Sequence, residues 1–217
     1  MNFVSVEQYS YKVFYNYGIN KMPITSSLFI ATLSLFIAFP AIAHTDVVNN
    51  IGFIEGLTHP FTGLDHILAM ISVGVIAHQF GSRNALYFLI SFLLFMLIGG
   101  FIAASSIRLP LVELGIIISV IALGMSIALG LKLSLSTSLS IISLFAIFHG
   151  HAHGTEMPIQ VNGFAYAAGF IVATTFLLLT GTFSSIIAGK VNQTIAPIII
   201  RIFGGFSAAV GASLLVS

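Results

Sequence analysis

Two short segments of this sequence carry most of its imidazole and carboxylate groups. The first reads HPFTGLDH and contains His59 and His66, which are seven residues apart, with Asp65 directly before the second histidine. Residues seven apart lie on the same face of an α-helix, so both imidazoles can reach one ligand. Pro60 disfavours helical conformation at His59, which predicts that His59 lies at the mouth of a helix and that Asp65 and His66 lie about two turns deeper.

The second segment, FHGHAHGTEMP, repeats this combination of groups. His149 and His153 are four residues apart and Glu156 follows three residues later. All three therefore share one helical face, whereas His151 points elsewhere. A further carboxylate, Glu113, lies near the start of a separate apolar stretch.

Imidazole and carboxylate groups without thiolates indicate a site for a borderline divalent metal. Ni²⁺, Co²⁺, Zn²⁺, Fe²⁺ and Cu²⁺ accept such ligands, whereas Cu⁺ prefers sulfur, and Ca²⁺ or Mg²⁺ would use more oxygen ligands. The sequence contains no cysteine, which removes Cys-ligated zinc, iron–sulfur clusters and thiol catalysis.

The overall composition places these groups in an integral membrane protein. Apolar residues make up 58% of the 217 positions and charged residues only 6%, whereas a charged fraction of about 25% is typical of globular domains. The net charge of +1, with no basic run, argues against a nucleic-acid partner. No phosphate loop of the form GxxxxGK[ST] is present, so nothing indicates the use of ATP.

The apolar runs predict an all-α bundle of six transmembrane helices, each long enough to cross the bilayer. The predicted spans are residues 60–80, 85–106, 110–131, 135–155, 162–187 and 195–216. Arg83, Lys132 and Lys190 then lie in loops on one side and Arg108 on the other, which places the first side in the cytoplasm. The preceding segment Val47–Thr58 is too short to span and is predicted to cap the outer face or to re-enter the membrane.

Residues 1–43 have the three parts of a cleavable secretory signal. A basic region precedes an apolar run at 24–39, and an A-x-A triplet ends at Ala43. A first transmembrane helix is the alternative, but a run of about 16 residues is short for a span. We expect cleavage to leave a transmembrane domain of residues 44–217 with a periplasmic N-terminus; the leader is long, and Met22 is a candidate for the true start.

This topology brings the candidate ligands to one depth. The first and third spans enter the membrane from outside, and the fourth span ends outside. We therefore expect their histidines and acids to lie in the outer half of the membrane. Charged groups within spans are costly and therefore functional candidates. Their convergence favours a metal or proton site over the alternative, in which the groups pair with one another and hold helices together. The group comprises His59, Asp65, His66, Glu113, His149, His153 and Glu156.

Two histidines outside this group are weaker candidates for metal ligands. His44, the new N-terminus after cleavage, offers an α-amine and an imidazole for metal capture, and a merely solvated end is equally compatible with the sequence. His78, near the cytoplasmic end of the first span, is a candidate exit ligand, although a surface histidine is the more usual interpretation.

Taken together, the two motifs resemble the HupE/UreJ family of nickel and cobalt permeases. The matching stretches are HPFTGLDHILAMISVGVIA, from His59 to Ala77, and FHGHAHGTEMP, from Phe148 to Pro158. The resemblance extends over the whole of residues 44–217, and the signal followed by a histidine also fits it. It implies functional roles for His59, Asp65, His66, Glu113, His153 and Glu156, includes His149 in the second motif, and places Phe92 at an aromatic position of the transport path.

The resemblance implies uptake of Ni²⁺ or Co²⁺ across the bacterial inner membrane to supply a metalloenzyme such as a nickel hydrogenase or urease. The metal, with Zn²⁺ as a further candidate, would be cargo, and no prosthetic group is expected. Three histidines with acidic neighbours leave an intramembrane zinc hydrolase as the enzymatic alternative. A sensor or chaperone that binds metal without moving it is a third possibility, and the sequence leaves open whether the protein forms a homo-oligomer.

Overall fold

The computed structural model describes residues 47–216. The predicted signal and His44 lie outside this range. Within it the chain is all-α, as expected, and a 3-10 turn at His59–Phe61 joins the first two α-helices. The helices are α1 Val47–Thr58, α2 Leu64–Gln79, α3 Ser82–Ala104, α4 Val112–Leu129, α5 Leu135–Glu156, α6 Gly163–Val191 and α7 Ala196–Leu214.

The first predicted span differs from the observed helices. Five helices, α3 to α7, are long and apolar enough to cross a membrane. The helix α2 has only 16 residues and meets α1 at a bend of 79°, so the two form a sixth, broken or re-entrant span if counted together. The bend follows from the local sequence, because Pro60 lies in the 3-10 turn and Gly63 is extended before α2 begins.

Short polar residues and one glycine set other helix boundaries. The side chain of Ser134 accepts a hydrogen bond from the backbone N–H of Thr137 at the start of α5, 3.1 Å away. Asn162 caps α6 in the same way, accepting from the backbone N–H groups of residues 164 and 165. Gly130 ends α4 in the left-handed conformation with φ of +63°, which glycine adopts without steric cost.

Close helix packing fixes the helix that carries the second motif. Gly99 of α3 and Gly150 of α5 sit where the two helices cross, and a β-carbon on either would collide with the backbone of the other helix. Such contacts between small residues let transmembrane helices approach each other closely. The crossing therefore holds α5 in place immediately beside His149.

The long helix α6 supports both halves of the bent pair. Its 29 residues pack against α1 near Gly169 and against α2 near Gly181. The 3-10 turn is thereby held over the end of α5. We call this end of the bundle, where α2 and α4 begin and α5 ends, the site end.

Candidate metal centre

A cavity of about 250 Å³ lies at the site end of the bundle. Six of its lining residues are predicted ligands, and they come from the 3-10 turn, α2, α4 and α5. The sequence motifs are therefore brought together, as their shared depth predicted. The lining residues are His59, Thr62, Gly63, Asp65, His66, Glu113, His153 and Glu156.

Three buried imidazoles form the inner part of this region, which we call the triad: His66, His149 and His153. One ring nitrogen from each lies within 4.8 Å of the others. The residues are only 9%, 0% and 3% exposed, respectively. The ring of His66 lies perpendicular to that of His149, with 5.1 Å between centroids, and 4.3 Å from that of His153.

The triad presents ring nitrogens that lack hydrogen-bond partners among the described residues. Nε2 of His66, Nδ1 of His149 and both nitrogens of His153 are buried and have no hydrogen-bond partner in the part of the chain that the structure describes. A buried polar atom without a partner costs about 1–3 kcal/mol. Three imidazoles arranged in this way match the donor set of a divalent transition metal.

A second group lies nearer the surface, and we call it the rim group: His59, His153 and Glu156. Their ligand atoms also fall within 4.8 Å of one another. Nε2 of His59 lies 2.9 Å from Oε2 of Glu156, and Nδ1 of His153 lies 3.6 Å from the same oxygen. The Glu156 side chain is 47% exposed. Because His153 belongs to both groups, the rim group and the triad are contiguous.

Asp65 lies beside the triad and contacts one of its members. Its Oδ1 lies 2.9 Å from Nδ1 of His66 and also accepts the backbone N–H of His66 at 2.9 Å. This contact leaves Nε2 of His66 for the triad. Glu113 lines the cavity from the first turn of α4, exposed and outside both groups.

Three other residues considered in the sequence lie outside both the triad and the rim group. His151 is buried and points away from the triad, with Nε2 2.9 Å from the backbone oxygen of Ile107, which confirms that it faces elsewhere. Phe92 is fully buried with its ring centroid 6.2 Å from that of His149. His78 lies in the last turn of α2, at the opposite end of the helix from the site.

The structure adds three residues that the sequence analysis did not single out. Ser119 of α4 is fully buried, and its Oγ lies 2.9 Å from Nε2 of His149. Phe170 of α6 stands against His153, with 4.2 Å between ring centroids. Tyr166 lies one turn earlier on α6, with 6.0 Å between its ring centroid and that of His59. Its hydroxyl is buried without a hydrogen-bond partner among the described residues. For Ser119 and Tyr166 the available signal was a polar group in an apolar span, whereas nothing in the sequence distinguishes Phe170 from other core aromatic residues.

Two comparisons with known proteins match most of the chain. The pattern of the HupE / UreJ protein family matches residues 31–214. The chain belongs to the HupE/UreJ family. Protein HupE of Rhizobium leguminosarum bv. viciae is 39% identical over 189 residues, which are 86% of this chain and 97% of that protein. No solved structure matches the chain.

Membership of the family confirms the resemblance inferred from the two motifs. HupE/UreJ proteins are transporters and not enzymes, so the chain is a member of a transporter family and a nickel or cobalt transport role is supported. The hydrolase alternative is accordingly not supported. The multi-helix apolar structure and the family together support a location in the inner membrane.

Proposed function

We propose that this protein is a secondary permease that imports Ni²⁺, or Co²⁺, across the bacterial cytoplasmic membrane, with its site end facing the periplasm. The observation that carries the proposal is the contiguity of the exposed rim group with the buried triad through His153. Together they provide a continuous series of candidate metal ligands from the surface of the cavity into the bundle.

In this mechanism the ion first meets His59 and Glu156. Both are accessible, with side chains 25% and 47% exposed. The ion sheds water onto these ligands and onto His153, and then exchanges the rim ligands for His66 and His149. Since His153 can remain bound throughout, the ion does not lose all its protein ligands at once.

Carboxylates near the path of the ion supply negative charge, which imidazoles cannot provide. An uncompensated divalent charge in a low-dielectric interior would be prohibitive. Glu156 contributes at the rim, and Glu113 either balances the charge or relays a proton. Asp65 acts through His66, because a carboxylate that accepts the second ring N–H of a ligand histidine orients it and raises its basicity.

The charges at the two ends of the bundle support the proposed orientation. Arg83, Lys132 and Lys190 lie at the end opposite the site, beside the start of α3, the start of α5 and the end of α6. An excess of basic residues marks cytoplasmic loops. We propose that this end is cytoplasmic and that a signal cleaved after Ala43 delivers the N-terminus, with His44, to the periplasm.

The membrane potential provides sufficient driving force for import. Two positive charges that cross 100 mV, negative inside, release about 4.6 kcal/mol. This energy corresponds to about three decades of accumulation at 1.4 kcal/mol per tenfold, so ATP is not required. Release into the cytoplasm would pass Phe92, next to His149, and then His78 at the far end of α2.

The proposal is tested by ⁶³Ni²⁺ uptake in cells that lack other nickel importers. Unaltered protein should accumulate the isotope, and His66→Ala and Glu156→Ala should abolish uptake at equal membrane expression. Excess Co²⁺ and Zn²⁺ as competitors rank the cargo. Absence of uptake by the expressed, unaltered protein would refute nickel import.

A further inference from the structure

The hydrogen bonds around Ser119 define which nitrogen of His149 carries a hydrogen. The Ser119 hydroxyl lies 2.6 Å from the backbone oxygen of Ile116, to which it donates. A serine hydroxyl has one hydrogen to donate and can still accept. Its oxygen, 2.9 Å from Nε2 of His149, therefore accepts from that nitrogen. This arrangement places the ring hydrogen of His149 on Nε2, which is the Nε2–H tautomer.

This tautomer directs the other nitrogen of His149 into the triad. Nδ1 is the atom of His149 that is buried without a partner among the described residues. In His66 the roles are reversed, because Asp65 engages Nδ1 and Nε2 is left without a partner. The two histidines therefore offer opposite ring nitrogens to one ion, each selected by a different neighbouring group.

We propose that Ser119 is a positioning residue that fixes the His149 tautomer, so that His149 binds the divalent cargo through Nδ1. The inference rests on the proposed function, since it assigns a role within that site. Both partners orient their histidine, but Ser119 is neutral, whereas the carboxylate partner of His66 carries a negative charge that raises the basicity of its ring more strongly. His149 is therefore the weaker ligand of the two. A weak ligand in the most buried position favours release of the ion over its retention.

The tautomer is tested on the purified full-length protein without metal. ¹⁵N NMR of histidine-labelled protein distinguishes imidazole protonated at Nε2 from imidazole protonated at Nδ1, and His149→Gln assigns the signal. We expect the Nε2–H form. Detection of the Nδ1–H form would overturn the inference without any bearing on transport, so its failure is distinct from failure of the permease proposal.

Substitutions test the consequence for metal binding. Ser119→Ala should weaken Ni²⁺ affinity by about 10- to 100-fold, the usual effect of losing a group that orients a metal ligand. Ser119→Thr keeps a hydroxyl at this position and should retain the affinity for Ni²⁺. Ser143→Ala is the control, because Ser143 is also buried but pairs with Ser91, 2.7 Å away. Unchanged affinity and unchanged tautomer in Ser119→Ala, or equal losses in Ser119→Ala and Ser143→Ala, would overturn the proposal.

Discussion

Replacing Asp65 by asparagine distinguishes two roles for this carboxylate: orienting His66, or binding the metal ion itself. The substitution keeps the size of the side chain, and the amide oxygen can still accept the backbone N–H of His66, which Asp65 accepts at 2.9 Å. It removes the negative charge that lies 2.9 Å from Nδ1 of the same histidine. The orientation of the ring is thus largely preserved while its basicity falls.

The expected loss of metal affinity follows from the proposed role of Asp65, which acts through the ligand His66. Removing such a group costs about 10- to 100-fold in metal affinity, which is about 1.4–2.7 kcal/mol. Isothermal titration of the purified protein with Ni²⁺ measures this directly. Glu55→Gln is the control, since Glu55 is exposed on α1 outside the cavity and its loss removes the same charge.

Three outcomes would refute this assignment. Unchanged affinity in Asp65→Asn would show that the carboxylate does not tune His66. A loss well beyond 100-fold, with a stable protein, would show that Asp65 binds the ion itself. An equal loss in Glu55→Gln would attribute the effect to general electrostatic attraction.

Three further predictions concern the shared ligand, the pH dependence and the packing of α5. His153→Ala should abolish uptake, because it removes a ligand from both groups, whereas His59→Ala should mainly raise the KM for ⁶³Ni²⁺; equal effects would contradict the two-step route. Uptake should fall between about pH 7.5 and about pH 5.5, since protons compete with metal for imidazole and carboxylate ligands, and a flat profile would contradict these ligands. Gly150→Leu should lower the melting temperature in detergent by forcing α3 and α5 apart, and an unchanged melting temperature would refute the close crossing.

The helical pattern allowed much of the site to be predicted. Spacings of three and four residues put His149, His153 and Glu156 on one face of α5, and the alternation of spans put them at the depth of His66. Both inferences need only the periodicity of one helix and the direction in which the chain crosses the membrane. The structure brings these groups together as expected.

Periodicity could not predict which atoms meet between helices. The contact of Ser119 with His149 depends on the rotation of neighbouring helices and required the folded structure. The contact of Asp65 with His66 lies within α2 and depends on the side-chain rotamers, which periodicity does not specify. The sequence also did not predict the size of the 79° bend between α1 and α2. Pro60 indicated that a helix begins next to His59, but the angle of the bend depends on the packing of α1 and α2 against α6.

The most direct test of the central claim is Ni²⁺ flux into proteoliposomes that contain only the purified protein. An internal metal-sensitive dye reports accumulation, and a potassium gradient with valinomycin sets an inside-negative potential. We expect accumulation that rises with the potential and disappears in His153→Ala. Tight binding of Ni²⁺ without flux at any potential would contradict the permease and would favour a sensor or chaperone that holds the ion without moving it.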